Sequence, residues 1–132
     1  MKVKVILKSG PLYSNEDVVR VTLPTAEGII QILPKHENLI SLLKLGVIYF
    51  ELGDGTKHDV VIADGVAKIQ GDEITILSDQ AELASNLVKD EISQAIKLAE
   101  ANIGTTDLPP SEFIQLEKQL LFERYKQKYL ES

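Results

Sequence analysis

The sequence predicts an α+β protein, with an N-terminal antiparallel β-sandwich over residues 1–80 and a C-terminal α-helical hairpin over residues 81–132. Three observations carry this expectation. Up to Leu77, apolar residues recur at every second position in short runs, the period of a half-buried strand. Asp-Gly and Gly-Asp pairs separate several of those runs, and glycine enters hairpin turns at positive φ without strain. From Asp79 onward the apolar spacing becomes i, i+3, i+4, i+7, the period of one helix face.

Taken in order, Val3, Val5 and Leu7 alternate with Lys2, Lys4 and Ile6, and Val19, Val21 and Leu23 alternate with Arg20 and Thr22. Further runs are Ile29–Leu33, Val47–Leu52, Asp59–Ala63, Val66–Gln70 and Glu73–Leu77. Turn residues divide them: Ser9-Gly10-Pro11, Pro24, Pro34, Gly46, Gly53-Asp54-Gly55, Asp64-Gly65 and Gly71-Asp72. Many short strands at this spacing predict a sandwich or barrel. The first helix is expected to open at Asp79 as N-cap, with Glu82 completing a capping-box pair. Its apolar stripe is Ala84, Leu87, Val88, Ile92, Ala95, Ile96, Ala99 and Ile103, and Gly104 stops it. After a break at Thr105–Pro110, a second helix is expected from Ser111 to Leu130, with Phe113, Leu116, Leu120, Leu121, Tyr125 and Tyr129 as its stripe. A pair of helices has little core of its own, so the hairpin is expected to be marginal by itself.

The chain has 132 residues and a net charge of −6, from 14 basic and 20 acidic side chains. Its arginines are Arg20 and Arg124, which disfavours nucleic acid as a partner. Without cysteine there are no disulfides, thiolate metal sites or thiol nucleophile. No stretch reaches the ~20 apolar residues of a membrane span, and the alternating start does not read as a signal peptide. A cytosolic protein, or one held at a membrane by partners, is expected.

Catalysis finds no support in the residues. His36 and His58 fall on different segments, and neither is placed to share a metal or a carboxylate relay. There is no Gly-x-Ser-x-Gly elbow, Walker loop or His-Glu-x-x-His helix. The carboxylate pairs Glu16-Asp17, Asp72-Glu73 and Asp90-Glu91 read as solvated surface, since nothing singles out a buried acid. The expectation is a non-enzyme with no cofactor and no metal.

Two features point to binding instead. The segment from Gly28 to Ile40 is too apolar for a plain loop, and Pro34 interrupts it. It reads either as an irregular strand corner on the core or as a contact surface. The second feature is Lys118, Arg124, Lys126 and Lys128, interleaved with Phe122, Tyr125 and Tyr129. These cations either complement the helix dipole or face an acidic partner.

The string Leu23-Pro24-Thr25-Ala26-Glu27-Gly28, then Ile32-Leu33-Pro34-Lys35-His36, Leu39 and Leu45-Gly46-Val47, resembles the epsilon subunit family of F-type ATP synthase. Ala63-Asp64-Gly65-Val66 and the segment from Ile74 to Glu82 are similar to that family's later turn, closing strand and helix opening. The resemblance implies a rotor part whose sandwich clamps the gamma subunit and rests on the ring of c subunits (the c-ring) at the cytoplasmic face of a bacterial membrane. It assigns the gamma and c-ring contact to Gly28, Ile29, Leu33, Pro34, His36 and Leu39. It implies that the helical hairpin extends toward the catalytic head of alpha and beta subunits and restrains ATP hydrolysis, with Lys118, Arg124, Lys126 and Lys128 where cations would face the beta subunit.

Some family members hold ATP through an apolar-Asp-x-x-Arg-Ala motif early in the first helix. Here Asp90 replaces the apolar residue, Glu91 the aspartate and Gln94 the arginine, with Ala95 retained. Gln94 carries no charge to pair with a triphosphate, so weak or absent ATP binding is expected. An ATP-sensing switch and an unrelated sandwich adaptor are the rival readings.

Overall fold

The computed structural model describes residues 1–105 and 107–132. They form two compact units, Met1–Asn86 and Leu87–Ser132. The first carries ten strands: β1 (Lys2–Leu7), β2 (Gly10–Asn15), β3 (Val18–Thr25), β4 (Gly28–Ile32), β5 (Leu39–Leu43), β6 (Gly46–Leu52), β7 (Lys57–Ile62), β8 (Gly65–Gln70), β9 (Glu73–Ser78) and β10 (Ala81–Leu83). A 3₁₀ turn follows at Ala84–Asn86. The second unit holds α1 (Lys89–Ile103) and α2 (Pro110–Glu131).

The strands join in one path, β10-β7-β6-β3-β5-β8-β9-β1-β2, with β4 paired on β3. Between β3 and β5 the ladder narrows to the single pair Thr25↔Leu43, and there the sheet turns into its second layer. Its two ends come back together: Tyr13 on β2 stacks on Phe50 of β6 with ring centroids 4.8 Å apart, and its Oη lies 2.8 Å from His58 Nδ1 on β7. Between the layers sits one core, with Val3, Val5, Val21, Leu23, Ile48, Phe50, Val60, Ile62, Ile74 and Ile76 all buried. Each such side chain contributes roughly 1.5–3 kcal/mol over its exposed state. The pairing is antiparallel except between β1 and β9, which run parallel from Lys2↔Glu73 to Leu7↔Ser78.

Three strands lie where the alternating pattern shows none. Strand β2 opens with Gly10-Pro11, and Pro11 pairs with Ile6 beside the register shift that follows Val5, where a missing ladder donor is tolerated. Strand β5, Leu39-Ile40-Ser41-Leu42-Leu43, lacks clean alternation because both of its faces carry apolar side chains. Strand β10 overturns the expected helix start. Residues Ala81, Glu82 and Leu83 pair with Ile62, Val61 and Val60 on the edge of β7, so Asp79 is no N-cap and Glu82 no capping-box partner. Helix α1 starts at Lys89 instead, after Val88 in extended conformation, with no side-chain cap.

Within the second unit, Ile92, Ile96 and Ala99 of α1 pack with Leu120 of α2, and Leu87 and Ile103 add to the seam. Lys89 and Ile92 line one small hollow with Gln127, Leu130 and Glu131, so the start of α1 lies beside the end of α2 and the helices are antiparallel. Of the stripe expected on α2, Leu120 is buried, Leu121 faces outward, and Phe122 is buried in its place. The expected break at Thr105–Pro110 includes residue 106, which lies outside the described residues.

Candidate partner-binding surfaces

The outward face of β5, β8, β9 and β1 is where this sandwich departs from an ordinary solvated sheet. Direct cross-strand pairs place Leu42 opposite Val66, Val66 opposite Leu77, and Leu77 opposite Ile6. The neighbouring positions Ser41, Ala67, Ile76 and Val5 turn to the core side. Side chains alternate along each strand, so the solvated face should be polar. Instead a row of aliphatic groups crosses it, with Leu42 63% and Leu77 51% exposed. The row floors an open groove of about 570 Å³, whose rim includes Lys8, Asp64 and Asp79. Gly65 is required here because a Cβ on it would lie 2.5 Å from the Leu77 carbonyl oxygen. Contiguous exposed aliphatic surface is the kind found at protein, membrane and ligand contacts.

The next row along the same face is Ile40, Lys68, Thr75 and Lys4. Ile40 is largely exposed, and the Lys4 ammonium lies 3.8 Å from Glu73. The aliphatic stripe thus has a mostly polar margin on that side. Of these outward residues only Ile40, the end of the Gly28–Ile40 segment, stands out in the sequence; Ile6 is grouped there with the solvated lysines.

The segment Gly28–Leu39 is not one loop. Its first part is strand β4, paired Thr25↔Gly28 through Val21↔Ile32. Gly28 has φ 125°, and its carbonyl accepts a hydrogen bond from Thr25 Oγ1–H, closing the β3–β4 turn. Ile29, next to it, is 75% exposed. Leu33, Pro34, His36 and Leu39 lie beyond the other end of β4, five residues at about 3.4 Å each along the strand. The structure therefore splits the expected contact residues into two spots. At the second spot, Leu33 and Pro34 are exposed and His36 is half-buried, its Nδ1–H donating to the Glu37 carbonyl at 2.7 Å. Asn38 Oδ1 accepts from Gly71 N–H at 3.0 Å and ties this loop to the β8–β9 turn. Lys35 has φ 65°, the one non-glycine residue at positive φ among the described residues.

The cations of α2 are not equivalent. Lys118 and Lys128 are exposed. Arg124 is exposed too, with Nη2 3.8 Å from Glu100 of α1. Lys126 is buried, its Nζ 2.8 Å from Glu123 and 4.8 Å from the Phe122 ring centroid. On α1, Glu91 and Gln94 are exposed and Ala95 is half-buried. Among the described residues there is no cluster of histidine and carboxylate side chains able to hold a metal. No described helix is long and apolar enough to cross a membrane.

Two groups have shifted protonation. Burial pushes the Tyr13 hydroxyl above its ordinary value, a hydrogen bond with the Asn15 side chain opposing the shift. Hydrogen bonds from the Thr56 backbone and side chain hold the exposed Asp54 carboxyl below its ordinary value in the β6–β7 turn.

A rolled sandwich of this topology followed by a helical pair defines the class, a two-unit sandwich–hairpin protein. The family model described as the beta-sandwich domain of the ATP synthase delta/epsilon chain matches residues 1–84. The ATP synthase epsilon chain of Sulfurovum sp. is 37% identical over 108 residues, 77% of this chain and 84% of that one. The epsilon chain of Campylobacter fetus is 39% identical over 97 residues, 73% and 74% of the two chains. In fold, a chain of the Euglena gracilis mitochondrial ATP synthase superposes with a TM-score of 0.75 at 22% identity, covering 97% of this chain and 79% of its own length. This chain belongs to the delta/epsilon family of ATP synthase, as an epsilon subunit of the F type.

Proposed function

We propose that this chain is a non-catalytic central-stalk subunit of an F-type ATP synthase, coupling ion-driven rotation to ATP synthesis and restraining hydrolysis through its helical hairpin. Family membership supports the complex, and the aliphatic groove floored by Ile6, Leu42, Val66 and Leu77 is the observation that carries the binding role. In this reading the gamma subunit fills the groove. The spots at Gly28–Ile29 and Leu33–Leu39 meet gamma and the c-ring. The chain is then peripheral, held by its partners at the cytoplasmic face of the membrane.

For the hairpin, Lys118, Arg124 and Lys128 are the cations that meet acidic loops of the beta subunit, since each has its charge at the surface. Lys126 joins them only when its bond to Glu123 is broken. ATP binding is weak or absent: Gln94 supplies no charge at the position where the family motif has arginine.

The test is co-purification with the same organism's gamma subunit, followed by ATPase assay of the catalytic head. Leu42→Asp and Leu77→Asp should each weaken gamma binding at least about 100-fold, because a carboxylate in a desolvated apolar contact has no partner. Both proteins should keep their melting temperature, since neither side chain enters the core. Full-length chain should slow hydrolysis, and Met1–Asn86 alone should bind gamma without slowing it. Gamma binding that survives both aspartates removes the groove from the reading.

A further inference from the structure

We propose that residues 80–88 are a two-state segment, held as strand β10 and a 3₁₀ turn in the structure and able to convert to helix as an N-terminal extension of α1. This goes beyond the functional reading above and does not depend on it. Local preference and observed conformation disagree in this segment, a conflict that concentrates at functional sites. Ala81, Glu82, Leu83 and Ala84 are four strong helix formers in succession, and alanine and glutamate are depleted in strands. Neither glycine nor proline interrupts the chain from Gln80 to Ile103. In one continuous helix Ala81, Val88, Ile92, Ile96 and Ala99 share a face. Helix α1 as it stands begins without help: its N-cap is Val88, extended and with no side-chain hydrogen bond to the first amides. A helix begun at Asp79 has a cap. The Asp79 carboxylate is exposed and can accept from the Glu82 N–H, while Glu82 reaches back to the Asp79 N–H. Both charges suit the positive end of the helix dipole. That helix is about nine residues, or ~14 Å, longer than α1.

Little holds the strand. It pairs with β7 from Ala81↔Ile62 to Leu83↔Val60, and the Ala63 N–H donates to the Gln80 carbonyl at 2.9 Å. Ala81 and Leu83 pack on the sandwich core but are half-buried. The next residues, Ala84–Asn86, already form a 3₁₀ turn with none of them buried. Conversion gives up a short edge ladder and part of one leucine's burial, and gains intrahelical hydrogen bonds and a capping box. Ser78 sets the pivot. It is buried at the end of β9 with its hydroxyl donating to the Asp64 carbonyl, which keeps that strand in place in either state. One step thus lengthens the first helix and frees the edge of β7, so any contact that prefers the longer helix shifts the balance between the two forms.

The experiment follows the full chain by backbone NMR, with Cα shifts and chemical-exchange saturation transfer reporting the conformation of residues 80–88. Wild type should show a minor state of about 1–5% with helical shifts there. Asp79→Ala should lower its population about fivefold, because the cap exists only in the helical form. Leu83→Glu removes the leucine that packs on the core, and in a continuous helix position 83 lies opposite the stripe, in solvent. It should raise the helical form at least about tenfold, and adding Asp79→Ala should cut that gain about fivefold. A double variant, Glu82→Cys with Val61→Cys, joins directly opposed residues of β10 and β7 in a chain with no other cysteine. Oxidised, it should lose the minor state, and reduction should restore it. If Leu83→Glu releases residues 80–88 as coil, or leaves them on β7 while wild type shows no helical minor state, the segment has one ordered form and the proposal is overturned. A helical form indifferent to Asp79→Ala overturns it as well. If Leu83→Glu does not fold, the disulfide decides: a minor state that survives oxidation, or one absent from wild type and reduced protein alike, overturns the proposal.

Discussion

The sandwich wraps its sheet around one continuous set of aliphatic side chains from Val3 to Ile76, joined by Phe50 and sealed at the rim by Tyr13 and His58. The seam between the helices rests on Ile92, Ile96, Ala99 and Leu120, with Leu87 and Ile103 at its margins. The sandwich has all ten strands hydrogen-bonded into one sheet, with β4 branching off β3, and the hairpin has two helix starts without a side-chain cap. Stability is expected to follow: the sandwich should open largely as a whole and the hairpin at lower local cost. A sandwich that holds its shape can serve as a rigid docking block, while a thin seam can exchange partners.

The sharpest way to break this comparison is Phe50→Ala, which removes a fully buried ring at the centre of the sandwich. A loss of about 3–5 kcal/mol is expected, read by denaturant unfolding of the whole sandwich signal. Next is Leu120→Ala, expected to cost about 2–4 kcal/mol but locally. Hydrogen exchange should quicken across α1 and α2 while the strand amides keep their protection. Equal loss of protection in both units would show that they unfold together.

Tyr13→Phe keeps the ring against Phe50 and removes the bond to His58, for about 1 kcal/mol. It also sets a pH signature. The Tyr13 hydroxyl is raised in the folded chain, so the unfolded chain loses its proton first. The stabilisation is whole below the ordinary tyrosine value of about 10 and falls as pH climbs through the higher folded value. Denaturation midpoints followed into alkali should show this decline in wild type and less of it in Tyr13→Phe. Smallest is Glu100→Gln, which breaks the pair with Arg124. Both side chains are more than half exposed, and the change should be about 0.5 kcal/mol or less by thermal melting.

Strand β1 was legible in Val3-Lys4-Val5 because one of its faces is buried and the other is not; in β3 the expected alternation of Val19 with Val21 fails, since a register shift between Val18 and Arg20 buries Val18 and leaves Val19 exposed. Residues Ala81 to Leu83 defeated the same reasoning. Their spacing to Ala84, Leu87 and Val88 fits a helix, and only the free edge of β7, a tertiary fact, makes a strand of them. The groove was hidden for a related reason. Leu42, Val66, Leu77 and Ile6 are far apart in the chain, and register alone lines them up. One trace was there to read: Leu42-Leu43, Ile76-Leu77 and Val5-Ile6 are adjacent apolar pairs, and a strand with two apolar neighbours has an apolar residue on each face. The Gly28–Leu39 segment was found by its apolar content, but its division by β4 required the pairing with β3.

The parallel pairing of β1 with β9 bears on how the chain reaches its native state as it is made. Strand β1 leaves the ribosome first, yet its inner neighbour Glu73–Ser78 is synthesised near the end of the sandwich. At about 5–20 residues per second, several seconds separate the two. During that interval β1 has β2 as its hairpin mate but no strand on its other edge, and the aliphatic groups that will face Ile74 and Ile76 stay uncovered. Closure of the sandwich is thus a late, long-range event, slow by the rule that non-local contacts set folding speed. The helices that follow need only neighbours a turn away and form within microseconds of emerging.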